Sequence, residues 1–164
     1  MKSPRGTPPH PEAQQILDAI RRIVRALRIS SRFSEKALGL SSAQLYVLQK
    51  LGESDGSSIN ELADRTLTHQ SSVSAVVSKL VARGLAFRRK SRQDGRRAEI
   101  SLTPKGLALI RRAPQQPIQE RLIVAIETLP DSARKSLARS IVSVVRAAGI
   151  GEGPVPLFFE ETSK

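Results

Sequence analysis

The sequence contains no cysteine and very few aromatic residues. Of its 164 residues none is Cys or Trp, one is Tyr and four are Phe. Without thiols the chain cannot form disulfides, thiolate metal sites or thiol redox sensors. The core must be built mainly from Leu, Ile, Val and Ala. The two histidines, His10 and His69, lie far apart in the sequence, so we do not expect a histidine metal cluster.

Long apolar runs and acidic charge are also scarce. No stretch approaches the roughly 20 apolar residues of a membrane span, and the first residues lack the apolar segment of a signal peptide. We therefore expect a soluble cytoplasmic protein with no membrane partner. Lys and Arg number 27 against 15 Asp and Glu, a net charge of +12. That balance favours a polyanionic partner, either nucleic acid or an anionic membrane surface.

The sequence patterns that accompany catalysis are missing. We find no nucleophile with its base and acid, no glycine-rich phosphate loop and no metal-ligand spacing. The sequence therefore predicts neither an enzyme nor a protein with a metal or other cofactor.

The most informative stretch is LAFRRKSRQDGRRAEISLTPKG, residues 85–106. Two β-compatible segments, 85–90 and 97–102, flank an Asp-Gly turn signal, which predicts a β-hairpin. Thr103 followed by Pro104 is typical of a helix start. The stretch has two acids and seven basic residues, which suits contact with a polyanion: Arg88, Arg89, Lys90, Arg92, Arg96, Arg97 and Lys105.

Apolar residues at spacings of three and four predict helices over most of the remaining chain. In chain order these helices cover about residues 12–38, 42–52, 59–65, 69–83, 104–112, 118–129 and 131–148. Gly39 favours a left-handed cap for the first helix, and Ser58 opens a capping box for the third. Thr68 is the predicted N-cap of the fourth. Pro114 and Pro117 predict a kink or break after the fifth.

Short helices followed directly by a basic hairpin are typical of a winged helix-turn-helix, whose second helix enters the major groove of DNA. The outward face of the fourth helix carries short neutral groups that can approach base edges, and Ser and Gln can hydrogen-bond to them. An ordinary solvated helix face is the alternative. The candidate DNA contacts are Thr68, His69, Gln70, Ser71, Ser74, Ala75, Ser78 and Lys79. His69 is either a polar helix-start residue or a pH switch.

The hairpin supplies a second set of candidate DNA contacts: Arg88, Arg92, Asp94, Arg96 and Arg97. We expect Arg96, at the tip, to enter the minor groove, because guanidinium groups are drawn to its negative potential. Asp94 is placed to orient that side chain. Asp before Gly is also common in turns, so Asp94 could serve the turn alone.

These residues carry a resemblance to a known family. The segment from Asp94 to Gly106 resembles the D-x-R-R-x-x-x-x-L-T-x-x-G signature of MarR-type transcriptional regulators. Residues 40–48 look like that family's second helix, and residues 60–63 followed by 70–74 look like its helix-turn-helix. The similarity spans roughly residues 12–148.

The resemblance implies a fold that is mainly α with a small β-hairpin wing, comprising a winged helix-turn-helix lobe and a helical dimerisation domain. The DNA-binding lobe would cover residues 40–103, and residues 12–38 and 104–148 would form the dimerisation domain. Residues 1–11 and 149–164 would be tails, the first of them disordered. A homodimer on a palindromic operator is implied, with recognition helices roughly 34–36 Å apart.

The resemblance also implies a repressor controlled by a small effector, often an anionic aromatic compound. Arg21, Arg25 and Arg28 could supply positive charge to such a pocket, and Tyr46 an aromatic wall. An exposed arginine stripe and a core tyrosine would explain the same residues. The alternative function is a constitutive, weakly specific DNA-coating protein without an effector, which the charge of +12 favours.

Overall fold

Seven helices and one antiparallel hairpin form the part of the chain that the structure, a computed structural model, describes: residues 10–54, 56–90, 98–113, 117–151 and 157–158. In chain order the elements are α1 (Pro11–Leu38), α2 (Ser42–Gly52), α3 (Ile59–Thr66), α4 (Gln70–Ala82), β1 (Ala86–Lys90), β2 (Ala98–Leu102), α5 (Pro104–Ile110), α6 (Ile118–Glu127) and α7 (Asp131–Ala147). The mainly α fold with a hairpin wing is therefore confirmed.

Capping residues set the helix boundaries that the sequence predicts. Ser41 accepts a hydrogen bond from the backbone N–H of Gln44, and Ser58 accepts one from that of Glu61. In each pair the side chain of the later residue accepts a hydrogen bond from the backbone N–H of the cap serine. Gly39 ends α1 in the left-handed conformation, with φ at 64°. The predictions for Ser58 and Gly39 are confirmed, and Ser41 is the cap of α2.

The predicted N-cap of α4 is wrong by one residue. His69, not Thr68, occupies the cap position, and its side chain makes no capping hydrogen bond. Thr68 Oγ1 instead donates to the carbonyl of Thr66, at 3.1 Å. Leu67 is the C-cap of α3 in a left-handed conformation (φ 50°), and the N–H of Thr68 donates to the carbonyl of Ala63 at 3.0 Å. Thr68 therefore belongs to the end of α3.

The hydrophobic core lies between α2, α3, α4 and the hairpin. The predicted inward face of α4 is confirmed, since Val73, Val76, Val77 and Leu80 are fully buried. β1 pairs with β2 in antiparallel register, Arg88 opposite Ile100. The core residues are Leu38, Leu40, Ala43, Leu45, Tyr46, Val47, Leu48, Leu51, Leu62, Ala63, Val73, Val76, Val77, Leu80, Leu85, Ala86, Ile100 and Leu157.

The junction between the hairpin and α5 is held by Thr103 and a close backbone contact. Thr103 Oγ1 accepts a hydrogen bond from the N–H of Gly106 at 3.1 Å and donates to the carbonyl of Gly84 at 2.7 Å. A Cβ on Gly106 would lie 2.1 Å from the carbonyl oxygen of Leu85. The start of α5 therefore fits against the end of α4 only because residue 106 has no side chain.

The long helix after Thr103 is interrupted. α5 ends at Ile110, and α6 begins at Ile118 with Pro117 at its N-cap. Proline has no backbone N–H to donate within a helix, so a helix can start but not continue at this position. The predicted break is thus confirmed at Pro117, whereas Pro114 lies outside the described residues.

Three helices leave large apolar residues uncovered within the described chain. α7 contains no buried residue, and the first half of α1, as far as Arg25, is exposed except at the half-buried Asp18. The exposed large apolar residues on α1, α6 and α7 are Ile16, Leu17, Ile20, Ile23, Val24, Ile29, Phe33, Val124, Ile126, Leu137, Ile141, Val142 and Val144.

Several sequence predictions fall on residues outside the described ranges. They are the predicted disorder of the N-terminal tail, over residues 1–9, and the roles of Arg92, Asp94, Arg96 and Arg97 at the hairpin tip. Pro11, which the prediction places in that tail, begins α1. Within the predicted C-terminal tail, Leu157 is buried and joins the lobe core.

Candidate nucleic-acid interface

α4 presents one apolar and one polar face, and the polar face is the candidate interface. Opposite its buried valines, Gln70, Ser71, Ala75 and Ser78 are exposed. Ser74, Thr68 and Lys79 are half-buried and His69 is exposed. The structure therefore brings the eight predicted recognition residues together on one side of the helix-turn-helix.

A hydrogen bond joins this face to the hairpin. Nη2 of Arg88 on β1 donates to Ser78 Oγ at 3.0 Å, and Ser78 Oγ donates to the carbonyl of Ser74 at 2.9 Å. The predicted wing residue Arg88 thus lies beside the recognition residues. Its guanidinium ties the base of the wing to α4 and adds positive charge there.

Arg83 has a structural role that the sequence does not show. Its position near the end of α4 suggests a phosphate contact, but Nη1 donates to the carbonyl of Gly39 at 2.6 Å and to Gln44 Oε1 at 3.2 Å. Arg83 therefore fixes the end of α4 to the connection between α1 and α2. Since these partners lie about 40 positions away in sequence, no local signal indicates the contact.

Arg65, at the end of α3, stabilises the helix-turn-helix through hydrogen bonds to α2 and to the loop that follows α2. Nη2 donates to the carbonyl of Lys50 at 2.6 Å and to Glu53 Oε2 at 2.7 Å, and Nη1 donates to the hydroxyls of Ser54 and Ser57. Ser57 in turn exchanges two backbone hydrogen bonds with Ile100 of β2. One guanidinium thus ties α3 to the loop that pairs with the wing.

Comparison with known proteins identifies this arrangement. Residues 38–97, which include α2, α3, α4 and β1, match the sequence profile of the MarR family. The helix-turn-helix part of the chain is therefore similar to that of the MarR family. The solved structures that share its fold include transcriptional regulators. No protein with a curated description gives a significant match to the sequence.

Solved structures resemble the chain over most of its length. A probable transcriptional regulator from Pseudomonas aeruginosa is 27% identical with a TM-score of 0.52, over 79% of this chain and 98% of that one. BpsR of Bordetella bronchiseptica, whose DNA binding is described as regulated by 6-hydroxynicotinic acid, is 25% identical with a TM-score of 0.56, over 89% and 100%. BldR of Sulfolobus solfataricus, 23% identical with a TM-score of 0.54 over 83% and 96%, shares the fold.

The predicted effector residues do not share one cavity. Arg21, Arg25 and Arg28 line an open groove of about 510 Å³ along α1, together with Ile20, Val24, Ile29 and Arg32. Tyr46 is 1% exposed and belongs to the lobe core. The predicted grouping is corrected accordingly: Tyr46 is a core tyrosine, and the aromatic wall that it was expected to supply to the arginines is not there.

The described residues contain no cluster of three or more His, Asp or Glu that could hold a metal ion. No helix in the described part of the chain is long and apolar enough to cross a membrane.

Hydrogen bonds and ion pairs shift the pKa values of two side chains in the lobe, those of Lys50 and Glu53. Burial alone would lower the pKa of Lys50, but hydrogen bonds to Glu53 and Glu120 outweigh it and hold that pKa above its ordinary value. Burial would raise the pKa of Glu53, but hydrogen bonds from Lys50 and Arg65 outweigh it and hold that pKa below 4.5. Both groups are therefore charged at neutral pH.

We expect Glu53→Gln to lower the free energy of unfolding at pH 7. The difference from wild type should become smaller as the pH falls. A carboxylate whose pKa is depressed on folding contributes its full stabilisation above its unfolded-state pKa, here 4.5, and loses it as pH falls through the folded-state value. Urea unfolding of both proteins at pH 7 and about pH 3.5 measures the difference. Glu12→Gln, on the exposed first turn of α1, is the control. A gap between Glu53→Gln and wild type that stays constant over this range would contradict the assignment.

Proposed function

We propose that this chain is a sequence-specific regulator of the MarR type that binds double-stranded DNA through α4. The observation that supports the proposal is the outward face of α4, where short neutral side chains lie beside Arg88 of the wing. Short groups allow a helix to lie deep in the major groove, and Gln70 and the serines can hydrogen-bond to base edges. The net charge of +12 supplies attraction to phosphates.

The contacts divide into base readout and backbone positioning. Gln70, Ser71, Ser74 and Ala75 would face base edges, with Gln70 best matched to adenine. Lys79 and the backbone N–H groups at the start of α4, next to Thr68 and His69, would bind phosphates. At the wing tip we propose that Arg92, Arg96 and Arg97 extend the basic surface, Arg96 into the minor groove with Asp94 as its guide.

We propose that the protein works as a homodimer on a palindromic operator. Uncovered apolar residues on α1, α6 and α7 support this proposal, because apolar faces of this extent on several helices favour burial against another protein surface. A dimer would present two α4 helices to successive major grooves, roughly 34–36 Å apart. Light scattering of the purified protein, with an expected mass of twice 17.9 kDa, tests the assembly directly.

We further propose that the protein acts as a repressor and that a small effector modulates its DNA binding. Binding of the effector would release the repressor from DNA. The arginine groove of α1 can attract an anion, and BpsR, 25% identical, is regulated by an aromatic acid according to its structural description. An effector need only bind one arrangement of the two lobes more tightly than another. Calorimetric titration with aromatic carboxylates, repeated with Arg25→Ala, tests the groove.

Gln70→Ala is the test of sequence-specific recognition. An operator is first selected from random duplexes with the wild-type protein, and affinities for operator and random DNA are then compared. We expect the variant to lose about tenfold in operator affinity, since one base contact contributes about 1–3 kcal/mol of discrimination, with little change on random DNA. Gln14→Ala, on the exposed start of α1, is the matched control.

The comparison of affinities for operator and random DNA also distinguishes a sequence-specific regulator from a DNA-coating protein. A coating protein would select no operator, would lose affinity equally on all sequences, and would weaken steeply as salt rises. A wild-type preference of roughly a thousandfold for the selected operator over random DNA supports regulation. Equal losses for Gln70→Ala on both DNAs would place Gln70 outside base readout.

A further inference from the structure

We propose that a polar contact between the first turn of α6 and α2 fixes the orientation of the DNA-binding lobe relative to the dimerisation helices. Gln119 and Glu120 of α6 reach into the lobe and bind Ser42 and Lys50 of α2. The inference rests on the proposed function, because its consequence is the spacing of two recognition helices. The residues are not part of the DNA-facing surface.

The contact holds α2 at two points on one face. Gln119 is 5% exposed and its Nε2 donates to Ser42 Oγ at 2.6 Å. Glu120 Oε1 accepts from Lys50 Nζ at 2.9 Å. Ser42, Tyr46 and Lys50 are spaced by four residues and so lie on one side of α2. Two hydrogen bonds about two turns apart resist both sliding and rotation of α6 on this side.

From Lys50 the contact continues to the helix-turn-helix. Lys50 Nζ also donates to Glu53 Oε1 at 2.8 Å, and Glu53 Oε2 accepts from Arg65 at 2.7 Å. Arg65 lies in the last turn of α3, just before the left-handed Leu67 that leads into α4. The alternating charges Glu120, Lys50, Glu53 and Arg65 therefore connect α6 to the start of the recognition helix.

The polar groups in this contact are better suited to fixing the orientation of α6 on α2 than to raising the free energy of unfolding. Lys50 has a side chain only 10% exposed and lies over the Tyr46 ring, 5.8 Å from its centroid. Tyr46 Oη and Gln119 Oε1 are buried without a hydrogen-bond partner in the described residues. Buried polar groups of this kind cost free energy that an apolar contact would avoid. A directional contact, in contrast, specifies one register between two packed elements.

The test measures the orientation itself and does not depend on DNA or on dimerisation. The chain has no native cysteine, so Ala82→Cys on α4 and Ala125→Cys on α6, both exposed, can be spin-labelled uniquely. Dilution with unlabelled protein restricts pulsed electron resonance to the distance within one chain. We expect a narrow distance distribution for the parent protein and a markedly broader one for Glu120→Ala.

Two further variants separate this role from a general effect of charge or packing. Lys50→Met should broaden the distribution as Glu120→Ala does, and the double variant should add little, because both changes break one contact. Glu127→Ala, which removes a carboxylate from the exposed far end of α6, should leave the distribution narrow. An unchanged distribution in Glu120→Ala, with Lys50→Met equally unchanged, overturns the proposal.

The functional consequence is measured as the change in DNA affinity when the spacing between the operator half-sites is altered. On operators with one or two base pairs inserted between the half-sites, the parent protein should lose most of its affinity. Glu120→Ala should discriminate between these spacings about tenfold less. Equal discrimination by both proteins would show that α6 does not set lobe spacing. Failure of the wild type to select any operator would reject the proposed function and leave the distance measurement standing.

Discussion

Gly106→Ala is expected to unfold the protein at a much lower temperature than wild type. The new Cβ would lie 2.1 Å from the carbonyl oxygen of Leu85 and 3.1 Å from its carbonyl carbon. Neither atom can rotate away as a side chain could, so α5 must shift off the end of α4. We estimate a cost of about 3 kcal/mol or more, which corresponds to roughly 10 °C in melting temperature for a chain of this size.

Circular dichroism at 222 nm during heating measures this effect. Gly151→Ala is the matched control, because a Cβ there meets open space and should leave the melting temperature unchanged. The shift of α5 should also disturb the Thr103 hydrogen bonds that link it to Gly84. A Gly106→Ala protein that melts within about 2 °C of wild type would show that the backbone near Leu85 yields at little cost.

Ile141→Glu is expected to leave the protein monomeric and to abolish tight operator binding. Ile141, 54% exposed on α7, lies at the centre of the apolar face that we propose as a dimer interface. A carboxylate buried there without a partner carries a large desolvation penalty. A monomer retains one DNA-binding lobe and loses the gain from binding two half-sites together, which we expect to weaken binding at least a hundredfold.

Light scattering and operator titration of the same samples report both effects. Ser143→Glu introduces the same charge two residues away, on the opposite side of α7, and should remain dimeric and bind DNA with little change. Helix content should be similar in the two variants, since both positions are exposed. The interface assignment is falsified if Ile141→Glu stays dimeric at micromolar concentration.

The features that local chemistry determines could be predicted from the sequence. Ser58 caps α3, Gly39 ends α1 and Thr103 begins α5, each because one side chain, or its absence, satisfies backbone groups within a few residues. The inward face of α4 follows from apolar spacing alone. The polar outward face of α4 follows for the same reason, as the opposite side of a helix with one buried face.

The features that depend on contacts between distant segments could not be predicted. Arg83 and Arg65 look like surface cations in the sequence, and only the packing of α1, α2 and the wing shows their carbonyl and carboxylate partners. From the sequence Tyr46 is either a pocket wall or a core tyrosine, and only the packing of α2 shows that its side chain lies in the core. Thr68 was displaced from the cap position because Leu67 adopts a conformation that non-glycine residues seldom use.

The distribution of core residues along the chain also bears on how the protein folds during synthesis. All but one of the buried hydrophobic residues in the described lobe core lie between Leu38 and Ile100, whereas α7 begins at Asp131 and buries none of its own. A ribosome adding about 5–20 residues per second therefore supplies all but one of these core residues while α7 is still to be translated. If the protein forms the proposed homodimer, burial of the α7 face follows later, by an encounter whose rate depends on protein concentration.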